Sequence, residues 1–142
     1  KALELFEREV ETLASLDHPQ IPRFLDTFRR RGREGRPPVF CLVQEYVAGR
    51  DLAAAIAGGE VWRESEVVAL LDQLLGVVAY LHGHSPPIVH RDIKPDNLIR
   101  RDGAPLALVD LGAVQVASPQ TIGGSTIVGT SGYLPVEQLM GR

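Results

Sequence analysis

His90-Arg91-Asp92-Ile93-Lys94-Pro95-Asp96-Asn97 places two cations, two carboxylates and a carboxamide within eight residues, directly after the apolar pair Ile88-Val89. Asp92 and Asn97 stand five positions apart, and Pro95 between them bars a regular helix. A surface loop can hold such a mixture by chance. The rest of the chain decides whether this one is a site.

The chain has 142 residues, enough for one domain with its own core. Its 44% hydrophobic and 23% charged content is ordinary for a soluble globular protein. A net charge of -3 gives no reason to invoke nucleic acid. No uninterrupted apolar run approaches the roughly 18 residues of a membrane span, so no membrane contact is expected from this segment. The N-terminus does not have the pattern of a signal peptide. A single cysteine, Cys41, rules out an internal disulfide framework, and a reducing, cytoplasmic setting is the expectation. Lys1 lies within what reads as a helix and the sequence stops at Arg142, so both ends read as cut.

Leu3, Phe6, Val10, Leu13 and Leu16 have the three-and-four spacing of an amphipathic helix over residues 1 to 16. Glu9 falls inside that apolar stripe. There it needs a cation, or protonates, or lies at the edge of a half-exposed helix and reaches solvent. Asp17-His18-Pro19 ends the helix. Ile21 to Phe28 and Val39 to Val43 read as an antiparallel pair around an arginine-rich turn, itself read as a solvated loop rather than a docking patch. Cys41, between Phe40 and Leu42, reads as a small buried hydrophobe.

Gln44 to Arg50 reads as a connector. Asp51 is placed to cap a short helix, Leu52 to Ala57, which Gly58-Gly59 end. Ser65 to His82 is the longest and most apolar helix, expected to be a core element, with Glu64 and Glu66 near its N-terminus. His82 and His84 have no partner at metal-ligand spacing. Leu98-Ile99 and Leu106 to Val109 flank an Asp102-Gly103 turn, a hairpin that delivers Asp110-Leu111-Gly112. From Gly112 to Gly132 the chain lacks periodicity.

In this order the features resemble the protein-kinase superfamily over the whole length, in its bacterial serine/threonine type. Asp92 and Asn97 match the catalytic loop; Asp110-Leu111-Gly112 stands where the family has Asp-Phe-Gly, and Gly129 to Glu137 resembles the close of the activation segment. The resemblance implies an α+β, protein-kinase-like fold that is incomplete: residues 1-43 the end of the N-lobe, 44-50 the hinge, 51-142 the first part of the C-lobe. It implies an ATP and Mg²⁺ dependent kinase acting on protein Ser or Thr hydroxyls, Lys94 and Thr130 matching the serine/threonine pattern.

By the same resemblance Asp92 is the base, Lys94 meets the γ-phosphate, Thr130 joins the two, and Asn97 and Asp110 hold Mg²⁺. Glu45 and Val47 would bind the adenine through their backbone, with Asp51 at the ribose and Ile99 beside the nucleotide; Glu9 would pair the strand-three lysine. Arg91 would receive a phosphorylated Ser125 or Thr126. Leu111 replaces the usual Phe as an apolar plug between His90 and Leu13, and Pro135-Val136-Glu137 lacks the central proline of Ala-Pro-Glu. The family's Gly-rich loop and strand-three lysine would precede Lys1, so the 142 residues alone are expected to be weakly active or inactive, marginally stable, and to leave apolar surface uncovered around Leu70 to Leu81. The alternative from a different class is a non-catalytic pseudokinase or interaction module, against which four intact polar positions, Asp92, Lys94, Asn97 and Asp110, argue.

Overall fold

The computed structural model describes residues 2–32, 37–111, 115–116, 130 and 132–139, with backbone alone for residues 2–5, 8, 9, 115, 116 and 139. Helix α1 spans Ala2–Ala14, and strands β1 (Phe24–Arg30) and β2 (Val39–Gln44) pair antiparallel, Arg30 opposite Val39 and Phe24 opposite Gln44. The first strand starts three residues later than its apolar pattern suggests. Ile21 closes a turn onto His18 O at 3.0 Å and is buried, while Pro22 offers no N–H to a ladder. At its other end Arg29 and Arg30, read as turn residues, belong to the strand.

After β2 come the short β3 (Arg50–Asp51), α2 (Leu52–Ala57), α3 (Glu64–His82) and β4 (Ile88–Val89). Asp51 caps α2, its Oδ1 accepting from Ala54 N at 2.6 Å. A 3₁₀ turn, Pro95–Asn97, leads into β5 (Leu98–Arg101), which pairs antiparallel with β6 (Ala104–Leu108) around Asp102-Gly103. Gly103 has φ +67, the left-handed conformation this turn demands. β3 pairs with β5, placing Asp51 opposite Ile99. β7 (Gln115–Val116) pairs with β4, and α4 covers Val136–Leu139. Helices and small antiparallel sheets together make an incomplete α+β arrangement.

One core ties these pieces together: Leu13, Leu16, Ile21, Leu52, Val77, Leu81, Ile88, Leu98, Leu106, Leu108 and Leu111. The loop after α1 is stapled to the β5–β6 hairpin by Leu108 N to Gln20 O (2.8 Å) and Gln20 Nε2 to Leu106 O (2.8 Å). Tyr80 of α3 reaches the same loop, its hydroxyl accepting from Asp17 N at 2.8 Å.

α3 bears on two expectations. Only one side is core: Val77 and Leu81 are buried, whereas Val68, Leu71 and Leu75 are more than half exposed at 57%, 51% and 64%. That exposure agrees with the apolar surface expected to be uncovered around Leu70 to Leu81, while Val77 and Leu81 make α3 the core element its apolar face suggests. α3 is also, by length and composition, apolar enough to cross a membrane. Glu64, Glu66, Asp72 and Gln73 interrupt any continuous apolar run in the sequence, but the average over a helical stretch tolerates them. Its packing is that of a core helix on one side, with Gln73 Oε1 accepting from Leu106 N at 2.7 Å.

Candidate active site

His90 leaves β4 into the core, 3% exposed, and Arg91 then turns the chain with φ +69. A non-glycine residue in that region stores strain of order 1–3 kcal/mol and persists where its surroundings hold it. Gln138 of α4 supplies one hold, donating Nε2 to Arg91 O at 3.0 Å. Lys94 is extended, Pro95 starts the 3₁₀ turn, and Asn97 N closes it on Lys94 O at 3.0 Å.

These turns bring three side chains of the loop together. Asn97, buried, donates Nδ2 to the Asp92 carbonyl at 2.9 Å and to Asp92 Oδ2 at 3.2 Å. Two acceptors on one side fix the amide orientation, so its own oxygen faces elsewhere. Lys94 Nζ lies 2.9 Å from Asp92 Oδ2. Thr130, thirty-six residues beyond Lys94, closes a triangle, accepting from Lys94 Nζ at 2.6 Å and donating to Asp92 Oδ1 at 2.7 Å.

The electrostatics follow from those contacts. Desolvation alone would raise the Asp92 carboxyl, but donation by Lys94 and Thr130 outweighs it and holds the group below the usual carboxylate range. The bond to Asp92 raises the Lys94 ammonium. Burial lowers His90, with the Asp92 and Asp110 charges pulling the other way. His90 Nδ1 accepts from Asp92 N at 3.3 Å, which puts the neutral ring's proton on Nε2. Nε2 has no hydrogen-bond partner of normal geometry among the described residues; the nearby Val109 carbonyl favours the charged ring less than burial opposes it. Leu111, Leu13 and His90 are all buried, at 1%, 2% and 3% exposure.

Asp110 is exposed, with φ +58, immediately after Val109, whose N–H donates to Asn97 O at 2.8 Å. That bond brings Asp110 to the same end of the loop as Asn97. A carboxamide oxygen and a carboxylate are hard donors, and a pair leaves coordination positions for phosphate and water oxygens, as Mg²⁺ prefers. No cluster of three or more His, Cys, Asp or Glu side chains suited to a metal occurs among the described residues.

The connector differs. The Glu45 carboxylate turns to Arg23, whose Nε lies 3.1 Å from Oε2 and whose hydrogen bonds hold it below the usual range. Asp51 spends one oxygen on its cap and sits across the strand pair from Ile99. A cleft of about 310 Å³ lies beside the connector, between Pro19–Pro22, Glu45–Gly49 and the β5–β6 turn. Its lining includes Glu45 and Val47 but none of Asp92, Asn97, Ile99 and Asp110, so this cleft and the polar triangle are separate features.

The structure therefore brings together Asp92, Lys94, Asn97 and Thr130, with Asp110 adjacent, and sets Glu45, Val47, Asp51 and Ile99 on the connector and its neighbouring strands. The Glu9 side chain, Ser125 and Thr126 lie outside the described residues, so no phosphate-receiving contact of Arg91 is described. Sequence reasoning missed Gln138, Gln20 and Gln73. Each acts through a hydrogen bond between its side-chain amide and backbone far along the chain, which leaves no local pattern.

Sequence comparison gives the family. The model of the protein kinase domain matches residues 1–142, and the chain belongs to that family. It is 40% identical to Serine/threonine-protein kinase B of Synechocystis, over 99% of this chain and 25% of that protein. It is 40% identical to Serine/threonine-protein kinase PknA of Nostoc (98% and 25%) and 32% identical to Serine/threonine-protein kinase PrkC of Bacillus subtilis (96% and 20%). The chain thus spans about a quarter of the length of the first two.

Proposed function

We propose that the intact protein transfers the γ-phosphoryl group of ATP to a Ser or Thr hydroxyl of a protein substrate. The observation that carries this reading is the closed triangle of Asp92, Lys94 and Thr130 with Asn97 behind it. Asp92 accepts from the side chains of Lys94, Thr130 and Asn97 and from the Thr130 backbone, so the acceptor hydroxyl would share one of its oxygens with these donors. Held below the usual range, it is a weak base. It orients the hydroxyl and takes its proton only as the new P–O bond forms and the bond to the ADP oxygen breaks, the electron pair leaving with ADP.

Lys94 has three N–H donors and uses two, so the third is available to a γ-phosphate oxygen. Thr130 keeps the two charged groups in register. Asn97 and Asp110 would hold Mg²⁺, which supplies charge neutralisation at the phosphates. Backbone groups of Glu45 and Val47 would receive the adenine, with Asp51 and Ile99 beside the ribose and base. Glu9, through a lysine partner, and Arg91, through phosphorylated Ser125 or Thr126, would complete and regulate the site.

The test is phosphate incorporation from labelled ATP into a mixed Ser/Thr substrate by the intact protein and by Asp92→Asn. We expect a loss of about 10²–10⁴-fold, the range for removing a positioned base, with nucleotide binding by calorimetry retained. Equal activity in the two forms would remove Asp92 from the mechanism.

A further inference from the structure

The kinase reading leaves the arginine-rich end of the β1–β2 hairpin unused. From Arg23 to Arg36 the sequence holds six arginines against two carboxylates, a surplus of four positive charges in a chain whose net charge is -3. Arg29, Arg30 and Arg31 are all exposed, and none forms an ion pair with a carboxylate among the described residues. They sit on an open edge: among the described residues β1 pairs with β2 alone. Leu25 and Phe28 on the same strand are also more than half exposed.

We propose that the outer edge of β1 is a docking site for an extended acidic segment of a partner protein, which adds a strand and presents adjacent carboxylates to Arg29 and Arg30. Successive residues of a strand face opposite sides of the sheet. Arg29 shares its face with Phe40, its cross-strand partner, with Cζ 5.8 Å from the ring centroid, and Phe40 in turn lies 5.1 Å from Phe6 of α1. Arg30 takes the other face with Val39 and the exposed Phe28. Two consecutive Asp or Glu residues in an incoming strand alternate in the same way, so one meets each guanidinium. Backbone pairing supplies affinity and the side chains supply selection.

The choice of arginine over lysine favours a carboxylate, which the planar guanidinium fork grips with two parallel bonds. A lipid surface would use the charge but not the open backbone edge. Asp26 sets the limit of the acidic run: its Oδ1 covers the N–H of Thr27 at 2.8 Å, and its charge repels a carboxylate at that end. The competing role for these arginines is to blunt an exposed edge against self-pairing.

The experiment measures fluorescence anisotropy of labelled peptides with the intact protein. The probe is a Val/Thr peptide carrying a central Glu-Glu pair. Its controls are the same peptide with Gln-Gln, the same peptide with prolines at alternate Val positions, and vesicles containing phosphatidylserine. We expect the Glu-Glu probe to bind, both control peptides to bind at least about tenfold more weakly, and Arg29→Gln/Arg30→Gln to weaken the probe by about tenfold as two charge-assisted contacts are lost. Both substitutions are exposed, so an unchanged thermal melt and unchanged phosphoryl transfer show that the fold persists. Equal binding of the proline peptide overturns strand addition. Vesicle binding without peptide binding overturns the choice of partner, and binding of neither leaves the arginines as edge protection and overturns the site.

Discussion

The loop from His90 to Asn97 and the connector from Glu45 to Gly49 serve one proposed site by different physics. In the loop the functional groups decide the outcome: Asp92 receives bonds from Lys94, Thr130 and Asn97, and each of these bonds needs a donor at that place. In the connector the side chains point to other duties. Glu45 pairs with Arg23, and Tyr46 is 87% exposed. What matters there is the path of the backbone. Gly49, with φ +153, runs so close to β5 that an added Cβ would collide with Arg100 O and the Ile99 side chain. Substitutions in the loop should therefore change rate with little change in stability, and substitutions in the connector should do the reverse.

After Asp92, the largest effect is expected at Lys94. Lys94→Met removes one donor aimed at developing negative charge, a loss of about 10²–10³-fold in kcat, with the melting temperature of the intact protein nearly unchanged. A large fall in melting temperature would break the contrast, because the loop would then be structural as well as chemical.

Gly49→Val tests the other side. The clash and the unfavourable φ should cost about 1–3 kcal/mol, read as a lowered urea midpoint, and the displaced connector should raise KM for ATP more than it lowers kcat. Unchanged stability would mean that β5 yields to the new side chain and that the path is not fixed by this approach.

Thr130 sharpens the comparison from outside the loop, through its contacts with Lys94 and Asp92. Thr130→Ala deletes the hydroxyl that both accepts from Lys94 and donates to Asp92. A drop in kcat of about 10–100-fold is expected, the size of a hydrogen bond to charged groups, and Thr130→Ser should restore most of it. Failure of Ser to rescue would shift the role from the hydroxyl to the methyl group.

The same contrast explains what the sequence made legible. Asp92, Lys94, Asn97 and Asp110 could be singled out because their motifs, in order along the chain, resemble those of the protein kinases, and the α2 cap and the Asp102-Gly103 hairpin because capping and turn chemistry are local. The start of β1 was misplaced since apolar residues serve a buried turn as well as a strand, and Ile21 does the former. The exposed side of α3 was hidden because an apolar pattern states what a helix can bury, not what covers it. Gln138, Gln20 and Gln73 were invisible for a third reason: their partners are backbone groups that only the fold brings near.

His90 yields the smallest effect and separates the loop's stability from its chemistry. Burial lowers its folded pKa below the ordinary 6.5, so in the interval between the two values the unfolded chain binds more protons than the folded one. Stability is then full above about pH 6.5, declines as pH falls through that interval, and levels off below the lowered value. The slope is bounded by one proton, about 1.4 kcal/mol per pH unit. Asp92 titrates elsewhere: its folded value is lowered from 3.8, so its contribution is present above that value and lost only at more acid pH. His18 is also lowered by burial and acts in the same direction as His90, which makes the difference between two proteins the useful quantity. Urea midpoints of the intact protein and of His90→Phe, taken from pH 7 to pH 5, should diverge in slope, the variant being flatter. Parallel profiles would mean that folding leaves the proton affinity of His90 unchanged, and that the strained turn at Arg91 does not seal the loop against the core.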